Sequence, residues 1–159
     1  MTEQQKLTPP AIGEIWQGQG GIYAGIVPAR NGAQAYHLII GDELGRFEWG
    51  PYGEDSPAKS MIDGLANTQA MVESDANYPA AVAAYEHKAD GHADFYLPAA
   101  AELYEAWLNL GSNDFGWVWS SSQRSAINAF ILGFGGGFQL NHGKYDEFRV
   151  RPVRRLLIQ

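Results

Sequence analysis

From Trp117 onward, apolar side chains tend to recur at every second position. Phe130, Leu132 and Phe134 alternate with Ile131 and Gly133, and Phe138 and Leu140 alternate with Gln139 and Asn141. That period belongs to β-strands. The Gly135–Gly137 run and the His142-Gly143 step turn the chain between them, and Phe148, Val150 and Pro152 share one face of a closing segment. The pattern predicts a late antiparallel meander in which one side of each strand meets a core. Near the N-terminus, Ile12–Trp16 and Gly21–Val27 are short β-type runs split by GQGG, and Ala35–Ile40 is a third, closed by Gly41-Asp42. Phe47–Gly53 is aromatic but broken by Gly and Pro, which predicts an irregular strand and a loop.

Between Ser56 and Lys88 the period lengthens. Ala58–Val72 carries Met61, Leu65 and Met71 at mixed helical spacing with Asn67 as an interruption, and Pro79–His87 begins with Pro at a helix start. Ala99–Leu110 is the clearest helix: Leu103, Trp107 and Leu110 form one stripe, Pro98 stands at its entry and Gly111 at its exit. Two helices packed on small antiparallel sheets with long irregular loops make the expected class α+β. Residues 1–11, polar and ending in Pro9-Pro10, read as an arm, and residues 12–159 as one domain. Leu103, Trp107, Trp119, Phe130, Phe134 and Val150 are expected to share a single core.

Composition narrows the chemistry. The 159 residues contain no Cys, so neither a disulfide framework nor a thiolate is available. The N-terminal stretch has no basic region followed by an apolar one, and no apolar run is long enough to span a bilayer. The expectation is a protein made in the cytosol without membrane insertion. The net charge of −7 is uneven: residues 1–122 hold 16 acids against 5 Lys/Arg, and residues 123–159 hold 2 against 6. Arg149, Arg151, Arg154 and Arg155 supply most of that basic end, with Arg149 and Arg151 expected on one strand face. Pairing with acids of the same or a neighbouring subunit accounts for them better than nucleic acid, which the acidic body would repel.

Three separated segments resemble one family. FYLPAAAELYEAW (Phe95–Trp107) resembles a D-W-x-L-P-S/T-x-x-E-L signature, and WSSSQRSAINAFILGF (Trp119–Phe134) resembles F-W-S-S-S/T followed by N-A-W-x-x-x-F. RVRPVRR (Arg149–Arg155) is similar to a closing V-R-P-V-R, and DGLANTQAMV (Asp63–Val72) to a weaker G-x-x-N-T element. In order and spacing they resemble the Lcl C-terminal-domain-like family of phage and bacterial surface proteins. Phe95, Tyr96 and Phe130 depart from the family's usual residues but keep aromatic bulk. The resemblance implies a C-type-lectin-like fold related to retroelement-diversified variable proteins, and the N-terminus without signal features together with the Pro-containing arm makes a phage virion component the expectation. The calcium-site triplets of animal lectins are missing from the sequence, as are the cysteines of the scaffold's oxidase branch.

Candidate catalytic groups are sparse. Asp90, His92 and Asp94, with His87 nearby, are the one place where metal ligands crowd together, and a polar turn explains the same residues. Glu102 and Glu105 read as solvated positions on a helix flank. Trp117, Trp119, Phe130 and Phe134 read as core rather than as a sugar platform, and Ser120–Ser122 as a hydroxyl-rich turn without a triad. No catalytic residue, metal or cofactor is therefore expected. The expected ligand-binding set is the solvent side of the last hairpin and its loops: Gln123, Arg124, Asn128, Gln139, Asn141, His142, Lys144 and Tyr145. In related diversified proteins the corresponding surface varies while buried positions hold the fold. The expected partner is a host-surface receptor or glycan, or another virion protein. Homo-oligomers are possible, a purely structural decoration role is the alternative, and an enzyme is the more distant one.

Overall fold

The computed structural model describes residues 7–158; the part of the expected arm that falls on residues 1–6 lies outside them. In chain order the elements are β1 (Ile15–Trp16), β2 (Gly21–Val27), β3 (Tyr36–Ile40), β4 (Arg46–Glu48), α1 (Gly64–Glu73), α2 (Pro79–Glu86), α3 (Ala100–Leu110), β5 (Trp117–Gln123), β6 (Asn128–Gly133), β7 (Phe138–Gly143), β8 (Glu147–Arg149) and β9 (Val153–Leu157). The class is α+β. Among the described residues three helices accompany two sheets, where the expected class counted two helices.

A four-stranded sheet has the order β1-β2-β3-β9, and a five-stranded sheet the order β4-β8-β5-β6-β7. Helix α3 lies against β2 of the first and β5–β6 of the second. Side chains on successive strand residues point to opposite faces, and both faces of the second sheet are covered around β5 and β6. Val118 and Leu132 enter a cluster with Leu38, Ile40, Leu103, Phe134 and Val153. Their neighbours Trp119 and Ile131 enter another with Trp49, Met71, Ala80, Ala81, Ala84 and Val150. The residues expected to share a single core are thus divided between two clusters on opposite sides of this sheet. Leu103 and Phe134 lie in one, with Trp107 packed on its margin, while Trp119 and Val150 lie in the other. Phe130 is only half-buried.

Helix α1 starts where the Asp63 carboxylate accepts Ala66 N–H at 3.0 Å. Asn67 does not interrupt this helix. Its amide donates to Ser60 O at 2.7 Å and Ser121 Oγ at 3.1 Å and accepts Ser60 N–H at 3.0 Å, pinning α1 to β5. Pro79 opens α2, whose buried Ala80, Ala81 and Ala84 allow a close approach, and the ring of Tyr78 meets Trp49 edge-on at 5.6 Å.

The basic C-terminal segment is consumed within the chain. Arg149 pairs with Glu43 at 3.1 Å and Arg154 with Asp94 at 2.8 Å, while Arg151 lies 3.7 Å over the Phe115 ring and donates to Gly41 O. Arg155 reaches Asp63 at 3.3 Å and Glu102 at 3.4 Å.

Candidate binding surface

The late hairpin is built by β6 and β7, joined through Gly135–Gly137. Gly137 has φ of 77°, and a Cβ there would meet the Trp107 ring at 2.6 Å, so this position needs glycine for both conformation and space. The register pairs Gly133 with Phe138, Ile131 with Leu140, Phe130 with Asn141 and Asn128 with Gly143. Strand β7 is the edge of its sheet, and its residues are exposed on both faces apart from the half-buried Gly143. Phe138 and Leu140, expected to face a core, are instead 63% and 45% exposed.

The residues expected to bind are divided between the two faces of the hairpin, its turns and the interior. Phe138, Leu140 and His142 share the face of Ile131, whereas Gln139 and Asn141 share the opposite face with Phe130 and Asn128. Asn128 Nδ2 donates to Asn141 Oδ1 at 2.8 Å, which locks the amide face. His142 meets the Phe148 ring at 5.0 Å, with Nδ1 3.4 Å from Asp146. Tyr145, 57% exposed, sits in the following turn with its ring 4.7 Å from that of Tyr52. Arg124 is exposed in the turn before β6.

Lys144 does not belong to the surface, and the half-buried Gln123 is held beside it. Lys144 is 0% exposed: its ammonium donates to Glu54 O at 2.8 Å and Gln123 Oε1 at 2.7 Å, and lies 5.0 Å from the Trp49 ring centre. Gln123 Oε1 also accepts Ser56 N–H, and its Nε2 donates to Asp55. Both side chains tie the 54–56 loop to the sheet. Burial lowers the pKa of Lys144 to about 8, against the opposing pull of Asp55 and Glu54. With the folded pKa below the unfolded one, the unfolded chain binds more protons between them, so this group makes stability rise as pH climbs from about 8 to about 10.5. In denaturant melts, wild type should gain stability relative to Lys144→Met across that window. A pH-independent difference would contradict a buried, charge-disfavoured lysine.

Glu102 is the second group that sequence reasoning misplaced. It is 0% exposed rather than solvated. Oε1 accepts Gly64 N–H at 3.0 Å and Ala99 N–H at 2.9 Å, the open amides at the starts of α1 and α3. Oε2 accepts the Tyr36 hydroxyl at 2.5 Å, the Tyr96 hydroxyl at 2.6 Å and Arg155 Nη2 at 3.4 Å. Burial, and then the Glu102 charge, hold both tyrosine pKa values above the ordinary range. Burial disfavours the Arg155 charge, but Tyr96 and Glu102 outweigh it and raise its pKa. Glu105, also expected on a solvated flank, is paired with Arg30 at 2.8 Å.

Asp90, His92 and Asp94 are each committed elsewhere. Asp90 accepts Gly20 N–H at 2.9 Å, His92 Nε2 contacts Gly18 O at 2.9 Å, and Asp94 holds Arg154. Among the described residues, no three His, Cys, Asp or Glu side chains are grouped to hold a metal ion. Nor does any described helix have the length and apolarity to cross a membrane.

Phe138, Leu140 and Tyr52 are the surface residues missed in the sequence. An alternating apolar row signals that two faces differ, but an edge strand and a central strand show the same alternation. The absence of any charge from Phe138 to Gly143 is the available hint. No protein-family model and no curated protein matches the sequence.

Proposed function

We infer that this protein is a non-enzymatic binding module with a C-type-lectin-like scaffold, serving as a virion component, and that the β6–β7 hairpin with the Tyr145 turn is its contact surface. The observation that carries this reading is the exposure of Phe138 and Leu140 on the edge strand and of Tyr145 in the turn after it, with amide side chains on the strand's other face. An aromatic and aliphatic centre with an adaptable polar edge is the composition of a protein-binding surface. Of the expected partners, a protein therefore fits better than a glycan.

The scaffold reading draws support from the way the three motif segments meet. Ser121 N–H donates to Pro98 O at 2.7 Å, Ala100 N–H to Ser122 Oγ at 2.9 Å, and Arg155 to Glu102 and to the Tyr96 hydroxyl. Residues that resemble the family's signatures are thus bonded to one another at the centre of the molecule. The non-enzymatic reading draws on the same centre, where Glu102 takes five donors and is a structural hub rather than an acid facing solvent.

Binding of the purified chain to intact host cells, to a glycan array and to particles lacking the protein tests the surface. Two variants are compared with wild type: Asn141→Ala/His142→Ala/Tyr145→Ala and Phe138→Ser/Leu140→Ser. Exposed substitutions change stability by less than about 0.5 kcal/mol each, so both should melt close to wild type. Loss of an aromatic anchor costs about 2 kcal/mol, roughly thirtyfold in affinity. Equal binding by wild type and both variants would place the interface elsewhere, and binding by none would count against a display role.

A further inference from the structure

Four strands form the sheet edges, and three of them are guarded. Strand β1 has two residues, β4 has three with Arg46 and Glu48 among them, and β9 carries Arg154 and Arg155. Short or charged edges discourage pairing with another chain. Strand β7 has neither defence: six residues, Phe-Gln-Leu-Asn-His-Gly, with no Pro, no acid, no Lys or Arg, and an unbroken register to β6. On a chain of net charge −7, this is an edge where two identical molecules meet without opposing like charges along the strand.

The ladder fixes which backbone groups are free. Lys144 N–H donates to Ile127 O at 2.9 Å, so this pair is hydrogen-bonded, and bonded and non-bonded pairs alternate along an antiparallel register. Phe138, Leu140 and His142 therefore direct their N–H and C=O groups toward β6. Gln139, Asn141 and Gly143 direct theirs away from the sheet. A second β7 laid antiparallel with the two-fold axis at Leu140 brings Gln139 of each copy opposite Asn141 of the other. Both residues have outward backbone groups, so they exchange hydrogen bonds. The same register sets Leu140 against Leu140 and Phe138 against the second copy's His142 on one face, and amide against amide on the other. Directly opposed apolar and aromatic side chains are the favourable cross-strand pairs.

We propose that the chain forms a two-fold dimer by antiparallel pairing of β7 with β7 of a second copy, joining the two five-stranded sheets into one. This names the partner of the hairpin surface and rests on the reading of that hairpin as a contact surface. A single six-residue edge is a small interface, so association should be concentration-dependent.

Sedimentation velocity of the full chain from ~1 µM to ~1 mM reads the assembly, with hydrogen exchange as the site-specific measure. The mass should rise toward twice that of the chain, and the Gln139 and Asn141 amides should exchange more slowly as concentration rises. Leu140→Lys places two ammonium groups at the axis, and Asn141→Pro removes an outward N–H that β6 does not use. Each should stay monomeric across the range while melting close to wild type. If Asn141→Pro disturbs the strand, Leu140→Lys alone decides. A wild-type chain that remains monomeric at ~1 mM, or variants that dimerise as wild type does, overturns the proposal. The contact-surface reading survives a monomeric wild type if Leu140→Lys still weakens binding to cells or particles, and falls only if that binding is also unaffected.

Discussion

Glu102→Ala should be the most damaging substitution of a polar residue in this protein, lowering stability by about 3–5 kcal/mol, the range for breaking a buried charge pair. The change strands Gly64 N–H and Ala99 N–H at the starts of two helices and two tyrosine hydroxyls, and removes one of the two acid partners of Arg155. Only Asp63 would remain to balance the guanidinium. Glu102→Gln should cost less, because its carbonyl oxygen still accepts the two backbone amides and both hydroxyls can rotate to accept from its amino group. Arg155 cannot make that exchange, so the residual loss in the Gln variant reports the ion pair. For a chain of this size the Ala variant should melt about 10 °C or more below wild type. A thermal scan in which Glu102→Ala melts within a degree or two of wild type would show that the carboxylate is not the link between the two helix starts.

Much of the architecture was legible because local signals agreed. Strand β2 occupies the expected Gly21–Val27, α3 differs by one residue at its start, and Pro79 opens α2 as its position implies. The errors share a cause. Periodicity distinguishes the two sides of an element but does not tell which sides are covered, so β7 reads like β6 although its residues are exposed on both faces apart from the half-buried Gly143. Polar burial is less legible still. Glu102 looks like a flank residue until residues 36, 64, 96, 99 and 155 converge on it, and Lys144 looks like a turn residue until Glu54 O and Gln123 meet its ammonium. Asn67 fails in the same way, since its weak helix propensity is overridden by bonds to Ser60 and Ser121. In each case the deciding partner is distant in sequence or lies in an irregular segment. Seven of the eight residues expected at the surface are nonetheless exposed or half-buried around the last hairpin, Lys144 being the exception, because most loop and edge positions lack such buried partners.

Trp119→Ala should remove about 3–5 kcal/mol, as a fully buried Trp truncated in a packed core does. Its position explains why local relaxation cannot recover the loss. The ring is wholly inaccessible, meets Phe148 edge-on at 5.0 Å, and directs Nε1–H to Phe47 O at 2.7 Å. Those contacts carry β5 onto β8 and β4, where the backbone link is thin: β5 and β8 share one register pair, Val118 with Arg149. Without the indole, a cavity opens and the Phe47 carbonyl loses its donor, so the β4–β8 ribbon should loosen before the rest of the sheet. Hydrogen exchange should accordingly rise first at Phe47 and Phe148, while Val118 and Leu132, facing the other core, keep their protection. Trp117→Ala is the internal control. That ring is only partly buried and lies over Gly133, so its loss should cost clearly less. Equal denaturation midpoints for the two Trp variants would contradict the central place of Trp119, because both rings pack on the same cluster and only their burial separates them.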